Sequence, residues 1–506
     1  MDGPSSDSSK NTSLPREASE QEIRAPSVTP LSTHSGMMSG ARWAALLQAL
    51  GQAISWLSTI VVVRFVSPTD YGLFAMLESP LELLLLVALL GMDVALVRVR
   101  NIAPPAESAA FGLLLLIGGL MFCLFFFGAQ AIAGYYSQSE LLLAAQVLSP
   151  IFLITPFRVI PNAILDRTFQ FKTRAQLELV AKVVAAACTL TLAYSGAGYW
   201  SLIVGVLTDR ILYAALIAIK HPWIIKPSLH LIHARQLISF GSISAISFGI
   251  QLFTSKGVGI IAAPIIGTAA MGTYAFATQF ALLPLSKSMP ILNRMLIPAF
   301  AHLANDLPAA AQRIAQAINI ALVILAPIMI GLAMLAEPFV AVVFGPDWVI
   351  AAVPLAIYSA IMPLRLISIF MRLAITSLGP PKMLLASVLP PTLVVLPLTY
   401  WIAPSGATAL VLLWCAAEPI SLLVSLRLCQ MVLPLSGRLL ADSLVPPLVG
   451  VSCLAAAVWG ILLTVPGEPA AIRLLIGSVV GATAYLGAMA LFFRKSLLTT
   501  YSILRG

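Results

Sequence analysis

The sequence predicts an all-α polytopic membrane protein of about 14 transmembrane helices, arranged as two parallel six-helix lobes with two appended C-terminal helices. Three observations lead to this prediction. Only 10% of the 506 residues are charged and 59% are hydrophobic, whereas a soluble domain carries about 25% charged residues. Apolar stretches of about 20 residues, each long enough to cross a bilayer, recur along the chain. Related motifs also recur about one lobe apart.

The first forty residues differ from the rest, because they are rich in Ser, Thr, Pro and mixed charge. Segments of this composition bury too little apolar surface to fold, so residues 1–40 are predicted to be disordered. The apolar stretches that follow predict spans at residues 43–65, 74–96, 111–133, 142–164, 176–195, 199–219, 238–265, 271–297, 316–335, 351–376, 383–402, 406–426, 443–464 and 472–493.

Charges in the connections predict the orientation. Every connection after an even-numbered span is basic, as Lys172 and Arg174 illustrate. Connections after odd-numbered spans carry mainly acids: Asp70, Glu140, Glu337, Asp347 and Glu468. Because basic connections stay inside, both termini and the tail are predicted to be cytoplasmic. The connections are too short to hold a separate folded domain, so function is expected within the helical bundle.

Two pairs of motifs indicate an internal duplication. VSPTDYGLFA (66–75) matches IGTAAMGTYA (266–275), with Gly72 opposite Gly272. TPFRVI (155–160) matches MPLRLI (362–367) in the same way. Because the copies are six spans apart, the repeats share one orientation and are related by an axis along the membrane normal. This predicts an N-lobe (41–220), a C-lobe (221–430), and a last part (431–506) with spans thirteen and fourteen and the cytoplasmic C-terminus.

Six motifs in order resemble the polysaccharide-transporter, or Wzx-type oligosaccharide-lipid flippase, branch of the multidrug/oligosaccharidyl-lipid/polysaccharide exporter superfamily. They are RFVSPTDYGLFAM, GMDVALVR, LDRTFQF, GAGYWSLIVGVL, GTAAMGTYAFA and FGPDWVIAAVPLAIYSA. The resemblance implies a V-shaped alternating-access transporter rather than an enzyme. Its implied cargo is an undecaprenyl-pyrophosphate-linked oligosaccharide repeat unit, carried across the bacterial inner membrane for surface or exopolysaccharide synthesis.

Cations inside the spans are the candidate substrate-binding residues. A charge at mid-bilayer costs about 2.5–3.5 kcal/mol on insertion scales, so such residues are functional candidates. For a pyrophosphate and its sugars, Arg supplies bidentate contacts and Lys a point charge. The candidates are Arg158, Arg365, Lys256, Lys287, Arg294 and Arg372. Arg294 and Arg372 have snorkelling to the interface as an equal alternative. Arg158 and Arg365 have a structural alternative, in which they bond carbonyls freed by nearby prolines.

Acidic residues of span two are the ion-coupling candidates, for protons or sodium. Glu78 and Glu82 are one turn apart and share a helix face, and Asp93 lies further along the span. The alternative for each is a plain ion pair with a neighbouring Arg or Lys. Glu178 and Lys182, at i and i+4, are predicted to form a salt bridge. None of the five histidines has metal-ligand spacing, so neither a metal nor another cofactor is expected.

The excess of intramembrane cations favours an anionic cargo over the cargo of a small-molecule or drug antiporter of the same superfamily. A peptidoglycan lipid-precursor flippase is the close alternative. A membrane polysaccharide polymerase or glycosyltransferase is disfavoured, because the chain has neither a large loop nor an acidic cluster. The expected partners are the polyprenyl-pyrophosphate-linked oligosaccharide, the lipid bilayer and polysaccharide polymerase or export machinery. Nucleic acid is not expected, because the basic residues form no tract.

Overall fold

The computed structural model describes residues 34–98, 104–220, 226–302 and 306–494, and in these ranges every regular element is a helix. The N-terminal helices are α1 (His34–Val63), α2 (Pro68–Leu89), α3 (Met92–Arg98), α4 (Pro104–Phe127), α5 (Ala129–Tyr136), α6 (Glu140–Leu148), α7 (Ile151–Ile154), α8 (Pro156–Arg167), α9 (Phe171–Tyr194) and α10 (Tyr199–Lys220). The remaining helices are α11 (Arg235–His302), α12 (Leu307–Met334), α13 (Ala336–Val343), α14 (Ala352–Leu378), α15 (Pro381–Ile402), α16 (Ala407–Val432), α17 (Gly437–Thr464) and α18 (Ala470–Phe492). Short 3-10 turns precede α11, α14 and α16.

Thirteen helical segments of the described chain are long and apolar enough to cross a membrane. One of them, Gly249–Ser286, has 38 residues, nearly twice the length that one crossing needs. It is kinked at Gly267, whose φ of 79° is in the left-handed region, and it contains most of predicted spans seven and eight. The predicted all-α polytopic architecture is confirmed.

Predicted span four is one membrane-crossing segment, Glu140–Arg167, but its helical hydrogen bonding is interrupted. It is divided into α6, α7 and α8, and the interruptions lie at Pro150 and just before Pro156. Proline lacks the N–H that would continue the ladder of hydrogen bonds, and its ring crowds the preceding turn. The equivalent Pro363 lies inside the unbroken α14. The two duplicated Pro-x-Arg motifs are therefore presented by different local structures.

The first helix begins before the predicted boundary of the tail. α1 starts at His34, within the segment 1–40 that the sequence predicts as a tail. The membrane-crossing part begins only at Leu46. Once a helix is nucleated, each added residue costs little, which accounts for the polar turns that extend the span. Residues 1–33 lie outside the described ranges.

Most helices pack on other helices of the same predicted lobe, whereas α2 packs mainly on α11 of the other lobe. In the N-lobe, α9 packs against both α1 and α10. In the C-lobe, α14 packs against α12 and α16, and α15 packs against α16. The appended helices α17 and α18 pack together and against α12. The largest contact between the lobes joins α2 to α11, so these two helices form one wall of the interlobe cleft.

The duplicated glycines meet at this contact. A Cβ atom on Gly72 would lie 1.9 Å from the carbonyl oxygen of Thr268, and one on Gly272 would lie 1.8 Å from the carbonyl oxygen of Pro68. Only glycine allows two backbones to approach this closely. The two copies of the motif therefore touch across the axis that relates the lobes. The charge pattern of the sequence predicts that this end of the bundle lies on the non-cytoplasmic side, called the far side below.

Trp348 strengthens the same end of the interface. Its indole Nε1 donates to the carbonyl oxygens of Val63 at 2.9 Å and Val66 at 3.2 Å. Its ring stacks on Phe276 with 4.5 Å between centroids and meets the edge of Tyr71. The side chain is 1% exposed. A C-lobe tryptophan therefore closes the end of α1, and the two lobes are sealed together at the far side.

Candidate functional site

Arg365 is the centre of a polar cluster in the C-lobe. Its Nη1 donates to the hydroxyl of Tyr358 at 2.9 Å and to Oε1 of Glu418 at 3.0 Å. Its guanidinium carbon lies 5.4 Å from the centroid of the Trp414 ring. The Arg365 and Glu418 side chains are only 13% and 6% exposed. Because the ion pair, the hydroxyl and the ring all act on one guanidinium, the side chain is held in place.

Arg372 lies two turns further along α14, and its environment is different. Its Nη1 donates to the Ser421 hydroxyl at 3.1 Å, and it makes no ion pair with any carboxylate in the described part of the chain. Arg365 and Arg372 line one cavity, the C-lobe cavity, with Glu418 as its only acidic residue. Two guanidiniums facing one carboxylate leave this cavity positively charged.

Lys256 joins the two lobes. Its Nζ lies 3.2 Å from Oε2 of Glu78 and 2.9 Å from Oε2 of Glu82. The two glutamates belong to α2 in the N-lobe and the lysine to α11, so this is an interlobe ion pair. Lys256, Glu78 and Arg365 all line a central cavity of about 310 Å³. One ammonium faces two carboxylates in this ion pair, while Arg365 adds a second positive charge to the lining of the central cavity.

A third cavity, the N-lobe cavity, has a volume of about 320 Å³ and lies among α1, α2, α9 and α10. It is lined by hydroxyls of α1 and α9 and by the charged side chains Lys182, Asp209 and Arg210. Lys182 donates to Glu178 at 2.8 Å, which confirms the predicted i,i+4 salt bridge. Asp209 and Arg210 form no ion pair with any other side chain that the structure describes.

The three cavities follow one another across the molecule. The C-lobe and central cavities share Ser255, Arg365 and Trp414 as lining residues. The central and N-lobe cavities share Glu78 and Gln279. These neighbouring cavities form a polar path from Arg372 in the C-lobe, through the central cavity between the lobes, to Asp209 and Arg210 in the N-lobe. A path of this kind fits a large, polar and partly charged ligand.

Arg158 does not join this path. Its guanidinium carbon lies 5.0 Å from the centroid of the Tyr213 ring, and Tyr213 is hydrogen-bonded to Asn162. Its Nε is buried without a hydrogen-bond partner in the described structure, and it lines none of the three cavities. Each duplicated arginine thus lies over an aromatic ring two spans later, but only Arg365 has an acidic partner in an ion pair and faces the cleft.

Three other predicted residues are not part of the cluster. Asp93 is exposed at the start of α3, lines none of the three cavities and makes no ion pair among the described residues. Its role in ion coupling stays a prediction without a neighbouring cation. The side chains of Lys287 and Arg294 lie outside the described residues. Arg365, Arg372, Lys256, Glu78 and Glu82 are brought together.

Several residues that complete the site received no role from the sequence patterns. Glu418 could have been recognised from the sequence, because a carboxylate in the middle of an apolar span requires a partner. Trp414 is four residues earlier, one helical turn away on the same face. Tyr358 and Ser421 carried no distinguishing pattern. Pairing between the tenth and twelfth spans depends on tertiary packing, which the local sequence does not display.

Comparison with known proteins identifies relatives of the chain. A family model described as "Polysaccharide biosynthesis protein" matches residues 61–353. The teichuronic acid biosynthesis protein TuaB of Bacillus subtilis is 23% identical over 63% of this chain and 66% of its own length. The succinoglycan biosynthesis transport protein ExoT of Rhizobium meliloti is 24% identical over 61% of this chain. The lipopolysaccharide biosynthesis protein WzxC of Escherichia coli is 22% identical over 62%. The chain spans slightly less than two thirds of the length of these relatives, 63% for ExoT and 64% for WzxC.

Solved structures show the same fold. The lipid II flippase MurJ, in an inward closed conformation, superposes with a TM-score of 0.72 at 15% identity, over 90% of this chain and 99% of its own. An inward-facing MATE-family multidrug transporter of the MOP superfamily has a TM-score of 0.57 at 15% identity, over 75% of this chain and 94% of its own. The all-α polytopic fold expected from the sequence is thereby confirmed. Because the family model matches more than half of the chain, the chain belongs to the polysaccharide biosynthesis protein family.

Proposed function

We propose that this protein is a flippase. It translocates undecaprenyl-pyrophosphate-linked oligosaccharide repeat units across the bacterial inner membrane for surface or exopolysaccharide synthesis. One observation carries the proposal: a polar path with surplus positive charge at one end lies between two lobes of a polysaccharide biosynthesis family member. The printed name of ExoT, a transport protein of succinoglycan biosynthesis, supports the same class of cargo.

The C-lobe cavity supplies the chemistry for a diphosphate. Guanidinium groups bind phosphate oxygens through paired N–H donors, and Arg372 has only a hydroxyl to satisfy it in the described structure. Its position in the second half of α14 corresponds to the predicted cytoplasmic half of the membrane. A pyrophosphate attached to a lipid of the inner leaflet stays near that depth. Arg372 is therefore the first pyrophosphate contact, and Arg365 the second, further into the cleft.

The ion pair at the centre of the cleft fits ion coupling. Lys256 neutralises only one of the two carboxylates Glu78 and Glu82. The remaining negative charge can be balanced by a proton or a sodium ion, or removed when Lys256 turns to the pyrophosphate. Substrate entry and cation occupancy then act on the same ion pair. Both termini are cytoplasmic in this proposal, and a polysaccharide polymerase on the far side receives the product.

A peptidoglycan-precursor flippase is the second candidate, because the MurJ superposition covers nearly the whole of that chain. At 15% identity the superposition shows the fold and not the cargo. A drug antiporter is not favoured, since the C-lobe cavity has two cations for one carboxylate, and this polarity suits an anionic cargo.

Reconstitution in liposomes separates these candidates. A fluorescent undecaprenyl-pyrophosphate-linked saccharide is placed in both leaflets, and flipping is followed by the fraction that an external quencher can reach. We expect flipping by the wild type and a loss of about tenfold or more in Arg372→Gln. Arg372→Lys should keep partial activity, because lysine keeps the charge but lacks the paired N–H donors of the guanidinium. Fluorescent lipid II is the competing probe. Flipping of lipid II alone would assign the protein to the second candidate.

A further inference from the structure

The N-lobe cavity has no role in the mechanism described so far, although it holds unusual chemistry. Asp209 and Arg210 both line it, and neither has a side-chain partner in an ion pair among the described residues. The hydroxyls of Ser55 and Ser58 line the same cavity without a hydrogen bond to another described residue. A carboxylate, a guanidinium and several hydroxyls are thus available to one ligand.

Neutral sugars are the ligands that this set of groups matches. A sugar hydroxyl is both a donor and an acceptor, so a carboxylate accepts from it while a guanidinium and serine hydroxyls donate to it. Tyr71 and Phe74 also line the cavity and supply apolar surface for the carbon face of a pyranose ring. The C-lobe cavity differs, because its two guanidiniums outnumber its single carboxylate.

The positions of the N-lobe and C-lobe cavities along their helices indicate how the polar path is oriented across the membrane. The N-lobe cavity extends from mid-helix, where Asp209 and Arg210 of α10 lie, to the last turns of α1 and the first turns of α2 at the predicted far side. The C-lobe cavity is lined by the second half of α14 and the first half of α15. These segments lie towards the predicted cytoplasmic side, called the near side. The polar path therefore runs diagonally through the membrane.

The geometry points to an N-lobe sugar subsite, in which Asp209 and Arg210 bind the oligosaccharide while Arg372 and Arg365 hold the pyrophosphate. This rests on the proposed function and gives the cargo an orientation. The lipid anchor keeps the pyrophosphate at the near side, so the sugars extend towards the closed far side. When the lobes separate there, the sugars leave first and the pyrophosphate follows.

Binding to the full-length protein in lipid nanodiscs tests this subsite. The probes are undecaprenyl pyrophosphate without sugar and the same lipid carrying one, two or three neutral hexoses. For the wild type we expect saccharide-bearing probes to bind about tenfold more tightly than the bare lipid. Hydrogen bonds to charged groups are stronger than those between neutral groups, which accounts for a gain of this size. Asp209→Asn and Arg210→Gln should each remove most of this gain and leave binding of the bare lipid unchanged.

Thr189 and Thr191 provide a matched pair on α9. Both hydroxyls donate to the carbonyl four residues earlier, but only Thr189 lines the N-lobe cavity, while Thr191 is exposed. Thr189→Val should reduce the saccharide gain by about threefold, since one neutral hydrogen bond is lost. Thr191→Val should leave it unchanged.

The outcomes separate the subsite from the proposed function. If the wild type does not bind the bare lipid, the proposed function fails. If it does, and Arg372→Gln weakens that binding, the proposed function stands. If the wild type binds saccharide-bearing probes no more tightly than the bare lipid, the N-lobe sugar subsite is contradicted and the proposed function is not. The same holds if the tighter binding survives in both Asp209→Asn and Arg210→Gln. A sodium-dependent change abolished by Asp209→Asn, with the saccharide gain intact, would instead assign the cavity to a cation.

Discussion

Arg365 and Arg372 share one face of α14, as their spacing of two turns predicted, but their partners separate their roles. Arg365 is tied to Glu418 and Tyr358, whereas Arg372 bonds only to a serine hydroxyl. The structural and the substrate-binding hypotheses for Arg365 are therefore not mutually exclusive. Its charge is already matched within the lobe, and that of Arg372 is left for a substrate.

The first prediction separates stability from transport at Arg365. Arg365→Gln should lower protein abundance, because removing one partner of a buried pair costs about 3–5 kcal/mol. The double variant Arg365→Gln/Glu418→Gln should restore abundance, since no charge is left unpaired. Transport per molecule should stay low in both if the guanidinium contacts pyrophosphate. The measurement is polysaccharide export in cells, divided by the amount of the protein in the membrane.

Arg473→Gln is the control for that experiment. Arg473 pairs with Glu337 at 3.1 Å, but the glutamate is 61% exposed, and exposed ion pairs contribute about 0–1 kcal/mol. Abundance and export should both remain near the wild-type values. Wild-type export per molecule in the rescued double variant would show that Arg365 is scaffold.

The second prediction concerns the acidic residues that face Lys256. Replacing both Glu78 and Glu82 with Gln keeps their size but leaves the Lys256 ammonium without a carboxylate. Flipping in liposomes should fall at least about tenfold, and an imposed proton or sodium gradient should no longer change its rate. Unchanged flipping and gradient dependence in the double variant would remove both residues from the coupling mechanism. Asp93→Asn is the comparison, because Asp93 is exposed and outside the cluster.

Residue types in the sequence could predict much of this site, but pairings could not. Charges within apolar spans identified Arg365, Arg372, Lys256, Glu78 and Glu82, because unpaired charges are rarely tolerated there. The duplication suggested that Arg158 is equivalent to Arg365. In the structure Arg158 packs on Tyr213, away from the cleft, since a repeat preserves position in a lobe but not exposure to the partner lobe.

At the scale of helices, the crossing of α2 and α11 defines how the lobes meet. Gly72 and Gly272 let the backbones touch, and the repeat of the motif made this pair visible in the sequence. The sequence did not show that the two copies of the motif contact each other. Only the fold shows this contact. Breaks in span four at Pro150 and Pro156 were also not predictable, because prolines within α14, α15 and α17 leave those helices continuous.

The third prediction tests this crossing. Gly72→Ala places a methyl group where the Thr268 carbonyl lies, so the helices must move apart. We expect a loss of about 1–3 kcal/mol, measured as a lower thermal unfolding midpoint of the purified protein. Gly119→Ala is the matched control in α4, because no atom lies within 4 Å of its added Cβ and alanine is the better helix former. An unchanged midpoint for Gly72→Ala would contradict the close crossing.

At the scale of the whole molecule, orientation in the membrane rests on the charge pattern. A protein freed of its five cysteines receives single cysteines at chosen sites. Reagents that cannot cross the membrane should label Glu140→Cys, Asp347→Cys and Glu468→Cys in intact cells, and Lys172→Cys only after the membrane is opened. Labelling of Lys172→Cys from outside would mean that the orientation is opposite to the predicted one, or that the number of spans differs from the prediction. The diagonal direction of the polar path would then reverse with it.

Separation of the lobes at the far side is the movement that the proposed export requires. Trp348 of the C-lobe is bonded to Val63 and Val66 of the N-lobe, so this contact must break before the sugars can leave. Cysteines at the adjacent exposed positions Ser67 and Asp347 can be joined by a reducible bifunctional thiol reagent. We expect the crosslink to stop flipping and reduction to restore it, because alternating access depends on rocking of one lobe against the other.

The same reagent can join positions that move together. Glu337 and Arg473 lie at the far side in an ion pair between α13 and α18, and both helices belong to the C-terminal half. A crosslink between Glu337→Cys and Arg473→Cys should leave flipping unchanged, since it restrains no boundary between the lobes. Full flipping with the Ser67–Asp347 crosslink in place would exclude far-side opening. Loss of flipping with both crosslinks would mean that α18 moves relative to the C-lobe during transport.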